Sequence, residues 1–176
     1  MKIANKKLLL SKTFLLSATV SLLLGCATTY QSKGFSGGFN EVQLDKNVWK
    51  VTFNGNGFTS KQRAEDLAML RSAELTLKSG YRYFAFVATD SSVSNHLMQT
   101  PSTSYTTINA NRFGNTLNGT ATTNTYGGNI VNIRKPSTTN TVFMTETREG
   151  INGMSYDAMF ICQSLGKTYE VSCLRN

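Results

Sequence analysis

The chain has few of the side chains on which catalysis and metal binding depend. Its 176 residues include one histidine, His96, and three cysteines. A protein zinc site uses three or four such ligands, and a Cys-His or Ser-His-Asp arrangement needs a histidine beside the nucleophile. His96 lies in a polar stretch, where we expect a solvated loop residue. The sequence therefore predicts no catalytic residue, no metal site and no enzyme.

Charged residues are also scarce, at 16% of the chain, although the formal net charge is +8. Half of that excess comes from four lysines in the first 25 residues, without which 14 basic residues face 10 acidic ones. The aromatic run at 81–86 contains only Arg82 as a basic residue, whereas a nucleic-acid stacking platform interleaves several. We expect no nucleic-acid partner.

Phosphate-binding loops are missing as well. "GNGFTS", residues 55–60, lacks the third glycine of the dinucleotide fingerprint and the Gly-Lys-Ser/Thr of a P-loop. We interpret it as a turn, with Gly55 or Gly57 at positive φ. No cofactor is predicted from it.

The first 25 residues have the zones of a secretory signal peptide. Four lysines without an acidic residue precede a run at 14–24 that is almost wholly apolar, as in the n- and h-regions of such signals. The run is shorter than the ~20 residues that cross a bilayer. We expect residues 1–25 to be removed.

Leu23-Leu24-Gly25-Cys26 resembles the lipobox of bacterial lipoproteins. The resemblance implies cleavage before Cys26 and attachment of fatty acids, palmitate among them, to its thiol and amine. Several acyl chains together hold a protein on a membrane almost permanently. Ala27 replaces the Asp that commonly retains Gram-negative lipoproteins in the inner membrane, so the expected location is the periplasmic face of the outer membrane. The alternative is an ordinary signal peptide that happens to hold a cysteine.

Cys162 and Cys173 remain in the mature chain. An even pair in an oxidising periplasm predicts a disulfide, and closing so short a loop stabilises by roughly 3 kcal/mol. A redox-active pair would usually show the tighter Cys-x-x-Cys spacing.

The composition divides the mature chain into a lipidated tether at 26–38 and a single periplasmic domain at 39–176. The polar, Gly-rich tether reaches about 40 Å when extended. At about 89–141, 32 of 53 residues are Ser, Thr, Asn or Gly, too few apolar groups to build a core. We expect this insert to be disordered alone or ordered by a partner, with at most a strand near 130–134.

Hydrophobic patterning predicts an α+β fold. "VWKVTF" alternates as a half-buried strand, and a helix capped by Thr59 or Ser60 follows and ends at Gly80. "YRYFAFVAT" is apolar on both faces, so we expect a central strand covered on both sides. This strand-helix-strand unit predicts a mainly antiparallel sheet with one long helix packed on it.

A short C-terminal helix is predicted from "SYDAMFICQSLG", with Ser155 as its cap, Asp157 in its first turn and Gly166 as its end. "KTYEVSC" then returns as an extended segment. Within the long helix, Arg71 and Glu74 lie three residues apart inside the mostly apolar arc. We interpret them as a structural ion pair at the edge of the core.

The motifs Gly-Asn-Gly, Ala-Glu-Asp-x-x-x-Leu-Arg-x-Ala-Glu-Leu-Thr and Gly-Tyr-x-Tyr-Phe, at 38–89, together with "YDAMFICQSLG", resemble an uncharacterised family of small Gram-negative envelope lipoproteins. The resemblance implies class and location and carries no catalytic residue. The Asn/Thr/Ser-rich composition is also similar to that of lipoproteins in the outer-membrane core of the Legionella Dot/Icm type IV secretion system.

These observations favour an outer-membrane lipoprotein that is a structural or accessory subunit of an envelope assembly, with other envelope proteins as partners in a homo- or hetero-oligomer. The alternative is an envelope sensor that binds a small ligand or peptidoglycan in a concave pocket. A hydrolase is the third hypothesis, and it would need a cluster of titratable side chains in one cleft.

Overall fold

The computed structural model describes residues 26–149, 151 and 153–173. The predicted signal peptide, residues 1–25, lies outside these residues. The described chain forms two compact units, one comprising the residues up to Ser94 and from Arg134 onward, the other Asn95–Ile133. The fold class predicted from the sequence is confirmed: the chain is α+β, with mainly antiparallel sheets, one long helix and one short C-terminal helix.

Seven strands and two helices follow one another along the described chain. In order they are β1 (Gly38–Asp45), β2 (Val48–Asn54), α1 (Lys61–Lys78), β3 (Tyr83–Gln99), β4 (Ser102–Phe113), β5 (Thr116–Gly127), β6 (Ile130–Thr145), β7 (Ser155–Asp157) and α2 (Ala158–Tyr169). None of the helices in the described part of the chain is long and apolar enough to span a bilayer.

The main sheet has the strand order β1-β2-β6-β3-β7. Strand β2 is antiparallel to both neighbours, and Val51 pairs with Glu41 of β1 and Asn140 of β6. Alternate residues of β2 and β6 point to one face, where α1 packs, because side chains alternate across a strand. The fully buried side chains of this core include Val51, Phe53, Leu67, Leu70, Phe84, Val142 and Met144.

Local chemistry fixes both ends of α1 as predicted. The Ser60 side chain accepts a hydrogen bond from the Arg63 backbone N–H at 3.1 Å, which satisfies one of the unpaired donors of the first turn. At the other end Gly80 has φ +84°, a conformation that glycine adopts without steric cost. The helix therefore begins and ends where its cap residues stand.

Strand β3 differs from the prediction. Phe84 and Ala85 are buried, but Val87 is exposed, and the strand continues far beyond the apolar run to Gln99. The expectation that both faces are covered therefore holds only for the first residues of the strand. Its outer neighbour β7 has three residues and pairs only with Tyr83, Phe84 and Ala85, so β3 is a central strand only over these residues.

Helix α2 begins later and ends later than predicted. Asp157, not Ser155, is the cap, and its carboxylate accepts from the Phe160 N–H at 3.2 Å. Gly166 does not end the helix, which continues to Tyr169, so the predicted extended segment "KTYEVSC" begins as helix. Gly166 is instead required for packing: a Cβ there would lie 2.7 Å from the Val171 carbonyl oxygen of the returning chain.

The polar insert is not structureless. Its outer parts extend β3 and β6, and Thr138 and Asn140 of β6 are buried in the main unit. Its centre forms the hairpin β4–β5, paired in continuous register from Ser102–Gly127 to Phe113–Thr116. The low apolar content rules out a core but not strands, because β-branched threonine favours strands and the backbone groups satisfy each other across the pair.

The predicted disulfide between Cys162 and Cys173 is confirmed. Its Cα atoms lie 5.7 Å apart, and it joins α2 to the segment that leaves it. Cys162 is buried in the core, so the bridge fastens the chain end directly to packed structure.

Candidate lipid-attachment site and interaction surfaces

Residues 26–38 fold against the main unit and do not form the extended tether that their composition predicts. Thr28 is only 2% exposed. Its N–H donates to Thr59 Oγ1 at 3.0 Å, its hydroxyl donates to the Ser36 carbonyl at 2.8 Å, and it accepts from the Asn56 N–H at 2.9 Å. One buried threonine thus joins the N-terminal segment to the loop that precedes α1.

Two glycines of this segment are needed for close approach, not for flexibility. Gly37 has φ +97°, and a Cβ there would lie 2.3 Å from the Asn54 carbonyl oxygen. Gly38 has φ +127°, with a Cβ position 2.4 Å from the Gln31 carbonyl oxygen. Any side chain would strain the backbone and collide with it. The composition typical of a linker therefore encodes a tight turn.

Cys26, the predicted lipid-attachment residue, is exposed and has a free thiol. Its carbonyl accepts a hydrogen bond from Asn56 Nδ2 at 2.8 Å. The Asn56 side-chain oxygen in turn accepts from the Phe58 N–H at 3.0 Å and from the Thr59 hydroxyl at 2.9 Å. The attachment residue is thus held at the surface of the folded unit.

The role of Asn56 is not predicted from the sequence, where the residue is only one member of a turn. An Asn side chain often accepts a hydrogen bond from the backbone N–H two residues later and so forms an Asx-turn, and an Asn within a turn sequence is the local signal for it. The glycines of this turn do not take positive φ as predicted. Gly55 is instead close-packed, because its Cβ position lies 2.7 Å from Thr59 Cβ and 2.9 Å from Pro136 Cγ.

Arg71 and Glu74, the predicted ion pair, lie at the centre of a larger cluster. Arg71 Nη1 is 2.7 Å from Glu74 Oε2, and Nη2 is 2.5 Å from Glu41 Oε1 on β1. Glu74 also accepts from Lys78 Nζ at 2.8 Å and from the Tyr30 hydroxyl at 2.5 Å. Lys78 follows the i,i+4 spacing of a helix, but Tyr30 and Glu41 come from distant segments that no local pattern indicates.

The cluster shifts the pKa values of Glu74 and Tyr30 in opposite directions. Burial alone raises the pKa of Glu74, but hydrogen bonds from Lys78, Tyr30 and Arg71 outweigh it, and the net pKa is lowered. Burial, and then the hydrogen bond to Glu74, raises the pKa of the Tyr30 hydroxyl. Near neutral pH the carboxylate is ionised and the phenol protonated, which suits a structural clamp.

A cavity of about 550 Å³ adjoins the cluster, between residues 29–31, Arg63 and the end of α2. The Tyr169 hydroxyl donates to Asp66 Oδ2 at 2.5 Å, and the Arg63 guanidinium lies 4.9 Å from the Tyr169 ring centre. Burial, together with the bond to Asp66, raises the pKa of Tyr169 to about 12. This second tyrosine-carboxylate bond joins the two helices.

A wider groove of about 1100 Å³ lies along α2 and β7. Its walls are mainly apolar and include Tyr81, Tyr156, Met159 and Ile161, together with Phe160, which is 68% exposed. The basic residues at its edge are Arg82 and Arg148, whose guanidinium groups lie 5.1 and 4.8 Å from the Tyr83 ring centre. Such a groove has the chemistry to hold a ligand with both apolar and anionic parts.

The hairpin β4–β5 exposes every one of its strand residues. Cross-strand hydroxyl pairs hold one face, Ser104 with Thr125 at 2.8 Å and Thr106 with Thr123 at 2.9 Å. On the other face the rings of Tyr105 and Tyr126 lie 6.3 Å apart. The two strands form a sheet of their own, so each has one edge with unpaired backbone groups.

The remaining predicted residue, His96, lies on strand β3 and not in a loop, with its side chain exposed. Within residues 26–149, 151 and 153–173, no three His, Cys, Asp or Glu side chains come together as metal ligands. No protein-family model, no curated protein and no solved structure significantly matches this chain.

Replacing Tyr30 with phenylalanine tests the clamp. The change removes one donor from a nearly buried carboxylate, so we expect the free energy of unfolding at pH 7 to fall by about 1–3 kcal/mol. Because the folded pKa of Glu74 lies below its unfolded value, about 4.3, its contribution is complete above that pH and is lost as pH falls through the folded pKa. The difference between wild type and Tyr30→Phe should therefore shrink below about pH 4.3.

Urea unfolding at pH 7 and at pH 3 measures both effects. Tyr105→Phe, on the exposed hairpin, is the matched control and should stay within about 0.5 kcal/mol of wild type. A Tyr30→Phe loss that is the same at both pH values would show that the phenol does not act through Glu74.

Proposed function

We propose that this protein is an outer-membrane-anchored lipoprotein that acts as a structural or accessory subunit of a multi-protein cell-envelope assembly. The signal-like N-terminus and the lipobox resemblance at Cys26 support the anchor. The exposed position of Cys26, on a folded surface that leaves its thiol open, is compatible with acylation. A type IV secretion outer-membrane core complex is the finer proposal, and it rests on the likeness of composition.

The observation that carries the subunit role is the hairpin β4–β5. An isolated two-stranded hairpin is at best marginally stable in water, and natural proteins protect long edges with charge, proline or a bulge. Here the two strands contain a single charged residue, Arg112, and no proline, and their register is continuous. Such edges suit the addition of a strand from another subunit.

The anchor is tested by substituting Cys26 with serine. Wild-type protein should incorporate radiolabelled palmitate and fractionate with outer membranes, whereas Cys26→Ser should incorporate none and leave the membrane fraction, because no thiol is left to acylate. Cys173→Ser, which removes a different cysteine, should still be labelled. Absence of label from the wild type would remove the basis of the proposed location.

The edge is tested with proline at two positions of the hairpin. The loop of this hairpin has two residues, so the pair that flanks it, Phe113 and Thr116, exchanges backbone hydrogen bonds. Hydrogen-bonded and non-hydrogen-bonded pairs then alternate along the two strands. The N–H groups of Ala110 and Ala121 therefore point outward, and proline there blocks both edges but spares the hairpin. We expect Ala110→Pro/Ala121→Pro to reduce the native size of the detergent-solubilised protein from that of a complex to that of a monomer.

The matched control is Ala110→Thr/Ala121→Thr, which keeps both outward N–H groups and should preserve the complex. Native electrophoresis and size-exclusion chromatography measure the size. If solubilised wild type is itself a free monomer, the subunit role fails.

The groove along α2 favours a second candidate, an envelope sensor that binds peptidoglycan fragments. Aromatic rings stack on sugars, and arginines bind the carboxylates of peptide stems. Purified muropeptides at millimolar concentration should then raise the unfolding temperature of the wild type by several degrees. Arg148→Ala should lose this shift and Arg112→Ala, on the hairpin, should keep it. An unchanged wild-type unfolding temperature would eliminate this candidate.

A further inference from the structure

Two phenylalanines among the described residues up to 60, Phe35 and Phe58, are strongly exposed, and both lie in segments that are hydrogen-bonded to residues 26–28. Phe35 is fully exposed, and Phe58 is 74% exposed. A single exposed apolar residue needs no explanation, but two exposed aromatic rings in the segments that hold the proposed lipid-attachment residue do. Both belong to the same compact unit as Cys26.

Short chains of hydrogen bonds connect both phenylalanines to residues 26–28. The Phe58 N–H and the Cys26 carbonyl bind opposite ends of one side-chain amide, that of Asn56, at 3.0 and 2.8 Å. Phe35 precedes Ser36, whose carbonyl accepts from the buried Thr28 hydroxyl at 2.8 Å. The backbone at Phe58, and that next to Phe35, is therefore positioned relative to the residue that would carry the lipid.

The turn that presents Phe35 is closed by backbone bonds. Gly34 and Gly37 exchange hydrogen bonds at 3.0 and 3.2 Å, so that residues 35 and 36 form the tip. The tight packing of Gly37 against Asn54 fixes the base of this turn on β2. Phe35 is therefore held at the tip of a fixed turn and its ring has little protein surface to cover it.

Basic residues predominate in the sequence around these rings. Residues 26–40 and 46–64 contain no Asp or Glu. Lys33 is exposed two residues before Phe35. Lys61 stands three residues after Phe58, and its side chain is 57% exposed although it pairs with Glu65 at 3.6 Å. Aromatic rings flanked by lysines are the usual composition of surfaces that rest in the headgroup region of an anionic bilayer.

We propose that Phe35, Phe58, Lys33 and Lys61 form a bilayer-docking surface that places the folded unit directly on the membrane in one orientation. This inference rests on the proposed lipid attachment at Cys26. The acyl chains hold the protein on the membrane, whereas the two rings enter the interface and set its orientation. The occupant of the surface is the anionic lipid leaflet itself.

The test uses acylated full-length mature protein reconstituted into vesicles of phosphatidylethanolamine and phosphatidylglycerol. The acyl chains of these lipids are brominated, and the bromine atoms quench the fluorescence of any tryptophan that enters the bilayer. Phe35→Trp and Phe58→Trp carry the probe, and Phe160→Trp, on the groove and nearly as exposed as Phe58, is the matched control. Signals are compared with wild type, which reports Trp49 alone.

We expect brominated lipid to quench the added emission at positions 35 and 58 at least twofold, and to leave that at position 160 unchanged. Replacing phosphatidylglycerol by phosphatidylcholine should weaken the quenching at 35 and 58, as should Lys33→Gln/Lys61→Gln. Unfolding temperatures of all variants should match wild type, because these side chains are exposed.

Two results would overturn the inference in different ways. If the protein is acylated and vesicle-bound but the tryptophans at positions 35 and 58 are not quenched, the surface does not face the bilayer. Protection of both tryptophans from aqueous quenchers by added protein would then identify a protein partner instead. If the wild type carries no palmitate, the proposed anchor has failed, which the labelling of Cys26 reports separately.

Discussion

One buried carboxylate joins the three parts on which the rest of the fold depends. Glu74, on α1, is 4% exposed and accepts hydrogen bonds from Tyr30, Arg71 and Lys78. Through Tyr30 it binds the N-terminal segment, and through Arg71 it reaches Glu41 on strand β1. A charge removed from water is tolerable only when it is fully partnered. The three segments must therefore assemble together, and the sequence between Cys26 and β1 is part of the folded unit.

The sequence predicted those features that local physics decides. The alternation of β2, the Ser60 cap and the glycine after α1 act over a few residues, and they lie where the pattern places them. Cys162 and Cys173 could be paired because the remaining cysteine had another expected role. The Arg71–Glu74 spacing was visible within one helix.

The parts that escaped prediction depend on distant contacts. Gly37, Gly38 and Gly166 were read as linker or helix stop, whereas each makes room for a backbone carbonyl from another segment. Tyr30 donates across 44 positions of sequence to Glu74. Hydrophobic periodicity does not predict the hairpin, because its strands bury no apolar side chain. A strand stabilised by backbone pairs and threonine hydroxyls leaves no hydrophobic pattern.

The hydrogen bond between Asn56 and the Cys26 carbonyl holds Cys26 directly against the folded unit, with no loose segment between them. With fatty acids on that sulfur, as proposed, the main unit would turn and diffuse together with its patch of lipid. A force applied to the unit would be transmitted directly to the acyl chains, because no flexible segment lies between them. A partner of the main unit would then have to come to the membrane surface, because no loose segment after Cys26 would let that unit move away from the lipid.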